Sequence, residues 1–206
     1  MTRWLLALVI LFLGVGRADA HPHEWLDFKV MPQFAKDGRI TALRETWYFD
    51  SFYTELSMPD FDTNKNKKLD ADELLALARD NVSNLKDFDY FTSVTAGGQK
   101  TAISHADDVT SHLSPDKRIV LEFTVHFKTP AKTPLSYSIY DPSYYIEMKH
   151  FKEGAITLSK EGCTSSITRP NPDSVYVALA KSLDKNAVAP ENLGVNFAEK
   201  AVITCP

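Results

Sequence analysis

Apolar and polar positions alternate with a period of two along several stretches of this chain, and that pattern predicts a β-rich fold. Ile119, Leu121, Phe123, Val125 and Phe127 alternate strictly with polar partners, which predicts a strand with one face buried and one wet. Leu26, Phe28 and Val30 mark a first strand over 25–34. Lys36-Asp37-Gly38-Arg39 is a hairpin-type turn into a second strand over 40–49, with Leu43, Trp47 and Phe49 on one face. Residues 90–95, 137–140, 145–148, 155–158 and 201–205 read as further strands, and Gly97-Gly98 as a turn. Helical spacing is shorter-ranged. A piece over 52–57 is stopped by Pro59. A helix over 72–85 carries Leu75, Ala78, Val82 and Leu85 on one stripe, and a second runs over 174–183 with Asp173 as its N-cap. The sum is an α+β, β-rich domain over 21–206, a mainly antiparallel sheet or sandwich with an EF-hand-like helical insertion near 50–87.

The first twenty residues break this pattern. Arg3, the apolar run from Trp4 to Val15 and the small-x-small site Ala18-Asp19-Ala20 read as a secretory signal peptide cut after Ala20. The run is about a dozen residues, where a membrane-spanning helix needs roughly 20. A cleaved leader, no later membrane span and a periplasmic or secreted location are therefore expected. Removing Arg3, Arg17 and Asp19 with the leader leaves 21 basic and 26 acidic residues, net −5. The charges are interspersed without a basic stripe, which argues against a nucleic-acid partner. The chain has two cysteines, Cys163 and Cys205, and an oxidising compartment makes a disulfide between them the expected state.

Cleavage after Ala20 would create chemistry as well as export the chain. The new terminus would be His21-Pro22-His23. Its α-amine, the His21 ring and the His23 ring would form a nitrogen set suited to copper, and adaptable to nickel, cobalt or zinc with further ligands. Pro22 has no amide proton to lose, so the square-planar mode through backbone amides is blocked. Glu24, Asp27, Asp50, His126 and His150 are candidates for the additional ligands. The alternative is a frayed polar terminus that binds little. His105 and His112 read as exposed in a polar loop, His126 as the wet face of its strand and His150 as surface beside Lys149.

A second candidate ion site lies at 62–73. Asp62, Asn64, Asn66 and Asp70 place oxygens at positions 1, 3, 5 and 9 of a calcium-type loop. Lys68 offers its carbonyl at position 7, and Glu73 a bidentate carboxylate at position 12. Lys67 stands where glycine is expected, and a left-handed lysine there costs about 1–2 kcal/mol, so weak calcium binding is the expectation. The alternative is a solvated turn capping the next helix through Asp70 or Asp72. There is no G-x-S-x-G, no H-E-x-x-H and no glycine-rich phosphate loop. Tyr137, Tyr140, Tyr144 and Tyr145 with Trp47 and Phe49 form an aromatic group best explained by core packing.

Several motifs stand in a recognisable order: His21-Pro22-His23-x-Trp25, Thr46-Trp47-Tyr48-Phe49-Asp50-x-Phe52-Tyr53, the loop 62–73, Phe88-Asp89-Tyr90-Phe91, Tyr140-Asp141-Pro142-Ser143-Tyr144-Tyr145, and Leu193-Gly194-x-x-Phe197-Ala198-Glu199 before Cys205. Together they resemble the domain-of-unknown-function 1007 family of exported proteins, often labelled periplasmic components of an uncharacterised ABC-type transport system. The resemblance implies a metal-related periplasmic role near a nickel/cobalt-type inner-membrane metal transporter. The pattern lacks the βαβ alternation of two-lobed transport receptors. Three functions stay open at this point: a transition-metal accessory protein with a calcium-type loop, a non-catalytic interaction module built on that loop, and a copper oxidase using the terminal histidine.

Overall fold

The computed structural model describes residues 22–182 and 192–206. The leader, His21 and the region 183–191 lie outside them. The chain runs β1 (Glu24–Phe34), β2 (Ile40–Phe49), α1 (Ser51–Phe61), α2 (Ala71–Leu85), a 3-10 stretch (Lys86–Phe91), β3 (Thr92–Ala96), β4 (Gln99–Thr101), β5 (Ile103–Leu113), β6 (Ile119–Ala131), β7 (Leu135–Ile139), β8 (Ile146–His150), β9 (Thr164–Thr168), α3 (Pro172–Ser182), a 3-10 turn (Leu193–Asn196) and β10 (Lys200–Thr204). The strands form two sheets of order β5-β6-β2-β1-β8 and β4-β3-β7-β10-β9. All pairings between named strands are antiparallel except β1 with β8, so the fold is α+β and β-rich as the alternation required.

Both sheets contribute to one apolar core. Phe28, Leu43, Trp47, Leu121 and Phe123 from the first sheet and Val94, Leu135, Tyr137, Ile139 and Ile203 from the second belong to the same buried cluster. Trp47 meets Phe123 edge-on at 5.0 Å between ring centroids, an arrangement favoured by the ring quadrupoles. β6 departs from the one-wet-face expectation, because Val120 and Thr124 are buried as well. Arg44 lies across Thr124, its Nη1 3.5 Å from the hydroxyl, and pairs with Glu122 at 2.6 Å. Both side chains of that pair are only about one-quarter exposed, so the outer face is partly covered here.

Helix positions shift for local reasons. Asp50 caps α1, its Oδ1 accepting from the Tyr53 amide at 2.7 Å. α1 continues through Pro59 to Phe61 rather than stopping before it. α2 buries Leu74, Leu77, Ala78 and Val82. Ala78 and Val82 of the predicted stripe are buried and Leu85 packs on the core, but Leu74 and Leu77 join them in place of Leu75, which is only half-buried. α3 starts at Pro172, and Asn171 supplies the cap in place of Asp173, its Oδ1 accepting from the Ser174 amide at 3.3 Å. Proline suits a first helical turn because its missing N–H has no partner there anyway. Residues 155–158 do not form a strand; a single parallel bridge joins Val30 to Ile156.

Cys163 and Cys205 form the expected disulfide, with Cα atoms 4.2 Å apart. It ties the turn before β9 to the end of β10 across 42 residues. Closing such a loop restrains the unfolded chain by about 4 kcal/mol in the chain-entropy model, with measured values more often about 2–4. Reduction, or the C163S/C205S pair, should therefore lower the free energy of unfolding by about 2–4 kcal/mol in urea melts. A change below 0.5 kcal/mol, on the order of a neutral surface substitution, would show that the strand pair alone holds the terminus.

Candidate functional site

β1 begins where several irregular segments meet, and it is their backbone that fixes its start. The His23 amide donates to the Tyr145 carbonyl at 2.9 Å and the Glu24 amide to the same oxygen at 3.3 Å. The His23 ring rests against the Tyr145 ring, 4.9 Å between centroids. The Trp25 amide donates to Asp50 Oδ2 at 3.1 Å, so the carboxylate that caps α1 also holds β1. His23 is exposed and held by these contacts, while His21 lies outside the described residues.

Asp141 builds the loop that receives it. Its Oδ1 accepts from the Ser143 amide at 2.9 Å and its Oδ2 from the Ile146 amide at 3.0 Å. Tyr144 sits left-handed in this loop at φ 60° and stacks on Phe197 at 3.9 Å between centroids. Gly194 packs directly onto the Asp141 carbonyl, where a Cβ would collide with backbone. Its amide donates to the Pro142 carbonyl at 3.0 Å. The Tyr140 amide donates to the Phe91 carbonyl at 3.0 Å, which brings in the 3-10 stretch.

That stretch is strained. Asp89, Tyr90 and Phe91 hold φ of 51°, 54° and 56°, three consecutive left-handed non-glycine residues. Each costs about 1–2 kcal/mol, so the surroundings must impose the conformation. Tyr90 is buried, Asp89 pairs with Lys100 at 3.0 Å, and the turn sets Phe88 and Phe91 on a cleft of about 260 Å³. Glu24, Trp47, Phe49, Tyr53 and Ile146 line it too. Burial first, then the charges of Asp50 and Asp141, push the Glu24 carboxyl above its usual range. The result is an aromatic cleft with one carboxyl, that of Glu24, among its lining groups.

Of the additional ligands that the sequence offered, Glu24 and Asp50 lie at this end. Asp27 faces Arg118, 3.8 Å from its Nη1. His126 and His150 lie elsewhere, and neither is plain surface. His150 is buried between the sheets. Its Nδ1 lies 2.7 Å from Glu199 Oε2 and its Nε2 3.0 Å from the Tyr137 hydroxyl, while Arg169 Nε reaches Glu199 Oε1 at 2.9 Å. Burial would raise the Glu199 carboxyl, but the bonds from His150 and the charge of Arg169 outweigh it and hold the group below its usual range. Burial, then the charges of Glu45 and Glu199, push the Tyr137 phenol well above its ordinary value, so it keeps its proton. His105 and His112 are exposed as expected, but on strand β5 rather than in a loop.

The loop 62–73 gathers the residues named for calcium and turns their oxygens onto its own N–H groups. Asp62 accepts from the Asn66 and Lys67 amides at 3.0 and 2.8 Å. Asp70 Oδ2 accepts from the side chains of Asn64 and Asn66 at 2.9 and 2.8 Å. The Asn66 side-chain oxygen accepts from the Lys68 amide at 2.8 Å. Glu73 takes the Asp70 amide at 3.0 Å and the Thr63 hydroxyl at 2.8 Å, bonds that hold its carboxyl below the usual range. Lys65 and Lys67 are left-handed, at φ 59° and 63°. This is the arrangement of a turn that caps α2.

The segments around His23, Asp50, Phe88–Phe91, Asp141–Tyr145 and Gly194 thus meet near the start of β1, and comparisons with known proteins cover most of the chain. A protein from Haemophilus influenzae described as uncharacterized is 26% identical over 206 residues, covering 96% of this chain and 97% of its own length. An uncharacterized 15.5 kDa protein in the trpE 3'region of Spirochaeta aurantia is 31% identical over 121 residues, 57% of this chain and 86% of its own. No solved structure matches. No helix of the described residues is long and apolar enough to cross a membrane. The profile of the family described as "Protein of unknown function (DUF1007)" matches residues 6–205, and the chain belongs to that family.

Proposed function

We propose that this protein is a periplasmic accessory protein that binds a transition-metal ion at its amino terminus and passes it to an inner-membrane metal transporter. The α-amine and rings of His21 and His23, exposed by cleavage after Ala20, would supply nitrogen ligands for copper, nickel, cobalt or zinc. The observation that carries this reading is the anchoring of His23: its amide bonds the Tyr145 carbonyl and its ring rests on the Tyr145 ring, next in sequence to Glu24, whose carboxyl feels the charges of Asp50 and Asp141. A fixed imidazole in an acidic setting loses less freedom on binding a cation than a loose one does. The Cys163–Cys205 disulfide is consistent with an oxidising compartment. In the same reading the loop 62–73 is a weak calcium site, reached when Glu73 and Asp62 exchange their amide donors for the ion.

Mass spectrometry of the exported protein tests the first step, with His21 expected as the first residue. Metal analysis then compares this form with one carrying an extra amino-terminal residue and with His23→Ala. The native form is expected to retain an ion that both altered forms release, with affinity reduced at least tenfold. Equal retention by all three would end the terminal-site reading.

A further inference from the structure

The outer face of the first sheet, away from the terminal cleft, carries an arrangement of donors that the terminal reading does not use. Ile103 points into the core, so strict alternation would send His105 inward as well. A bulge between them prevents this. Ile103 pairs with Phe127, but His105 pairs with His126, and the register shift lies between. One extra residue on β5 turns His105 to the outer face, directly across from His126. Alternation resumes after it: Ala106 faces Val125 and Asp107 faces Thr124, which returns Asp107 to the outer side two residues from His105. A second shift after Asp107 ends this regular segment.

Three donors consequently converge. His126 Nε2 lies 2.7 Å from Asp107 Oδ1 and His105 Nε2 lies 3.6 Å from Asp107 Oδ2. The two imidazoles stack 4.6 Å apart at an interplanar angle of 7°. The ligand atoms of the three residues all lie within 4.8 Å of one another. The remaining nitrogen of His105 is engaged too: Nδ1 lies 3.1 Å from Ser104 Oγ. A hydroxyl that accepts from Nδ1–H leaves the Nε2 lone pair facing Asp107, the outer-shell arrangement that fixes the tautomer of metal-binding histidines.

We propose that His105, Asp107 and His126 form a second transition-metal site, taking a divalent ion of the zinc, cobalt, nickel or copper type through two Nε2 atoms and one carboxylate oxygen. Two imidazoles and one carboxylate suit borderline ions rather than calcium or magnesium, which prefer oxygens. In a tetrahedral zinc site with bonds of about 2.0–2.1 Å, ligand atoms stand roughly 3.4 Å apart, so side-chain rotations within the present spread close the set. Binding takes the Nε2 proton out of the His126–Asp107 contact: a neutral His126 ligates as the Nδ1–H tautomer, and an imidazolium releases one proton to solvent. Three protein ligands leave one position open to water or to a donor from another molecule. The site depends on no residue of the terminal cleft, so an ion can occupy it whether or not His21 and His23 bind one.

Zinc and cobalt titrations of the mature protein test this, with His23→Ala and the amino-terminally extended form as backgrounds that disable the terminal site. In those backgrounds one ion is expected to remain. Cobalt should give visible d–d absorption, and zinc should shift the ring signals of His105 and His126 in NMR. His105→Ala and His126→Ala should each weaken that ion at least tenfold, with melting temperatures of the metal-free proteins unchanged because both side chains lie outside the core. Ser104→Ala should weaken it by about tenfold through the lost outer-shell bond. Unaltered stoichiometry and affinity in the two alanine variants, or absence of ring shifts at saturating zinc, would overturn the proposal. Loss of binding in the terminal variants alone, with no remaining ion, would overturn it as well while leaving the terminal reading intact.

Discussion

Glutamine in place of Glu45 is expected to abolish most of the loss of stability that the wild-type fold shows as pH rises from about 4.5 to 8. Glu45 is fully buried on the inner face of β2, and burial pushes its carboxyl up to about 8 against the bonds from Thr92 and Trp47. The hydrogen bonds agree with a protonated acid. Trp47 Nε1–H donates to Oε2 at 2.9 Å. The Thr92 hydroxyl lies 2.9 Å from both Glu45 Oε1 and the Tyr90 carbonyl, yet has one proton to give. If Oε1 carries the acid proton and donates it to Thr92, Thr92 donates onward to Tyr90 and every contact is satisfied. The folded value lies above the unfolded one of 4.5, so the stabilising contribution is complete below pH 4.5 and is lost as pH rises through 8. The difference amounts to roughly 5 kcal/mol when fully expressed, at about 1.36 kcal/mol per unit. Glutamine can offer N–H to Thr92 and C=O to Trp47 at every pH. Urea unfolding at pH 5, 6.5 and 8 is expected to show a falling wild-type midpoint and a level Glu45→Gln midpoint. Parallel curves would mean that the carboxyl is ionised in the fold at neutral pH.

His150→Ala is expected to destabilise the protein by about 3–5 kcal/mol, because it breaks a buried charged network and leaves a void beside Phe28. The Phe28 and His150 rings lie 4.3 Å apart. The Tyr137 hydroxyl loses its partner, and Glu199 keeps only the backbone amide of residue 150 at 2.9 Å and Arg169. Arg169→Ala is the control. Its side chain is 51% exposed, so its pair with Glu199 is screened and removing it should cost about 1 kcal/mol or less. Equal losses from the two variants in chemical denaturation would refute the idea that the imidazole is the keystone.

These two networks show where the sequence was legible and where it was not. β2 was bounded correctly because its period of two sets Leu43, Trp47 and Phe49 inward, and the same parity places Glu45 among them. Position alone does not say that a carboxyl there stays neutral, since Thr92 arrives from the other sheet. β5 was missed because it is an edge strand in which Ile103 is the buried apolar residue and the outer positions are polar. Its bulge re-aims His105 onto His126, and a local pattern that lacks the register between strands places both on the wet side without bringing them together. His150 looked exposed beside Lys149 because the parallel pairing of β8 with β1 is a long-range event. The left-handed turn at Asp89–Phe91 carries no glycine to announce it. The disulfide needed less, since an oxidising compartment and only two cysteines already pointed to it.

The parallel pairing of Glu24–Phe28 with Ile146–His150 also has a bearing on translocation. A chain that emerges amino terminus first from an export channel presents β1 and β2 together, and their hairpin can form at once. The far flank of β1 must wait through more than half the polypeptide for its neighbour. During that interval its unmatched amides and carbonyls are a template for any passing extended segment. A nascent chain that folds at its own pace is thus exposed to self-association, and a holdase that covers the first hairpin until residue 150 has emerged would suppress the hazard at its source.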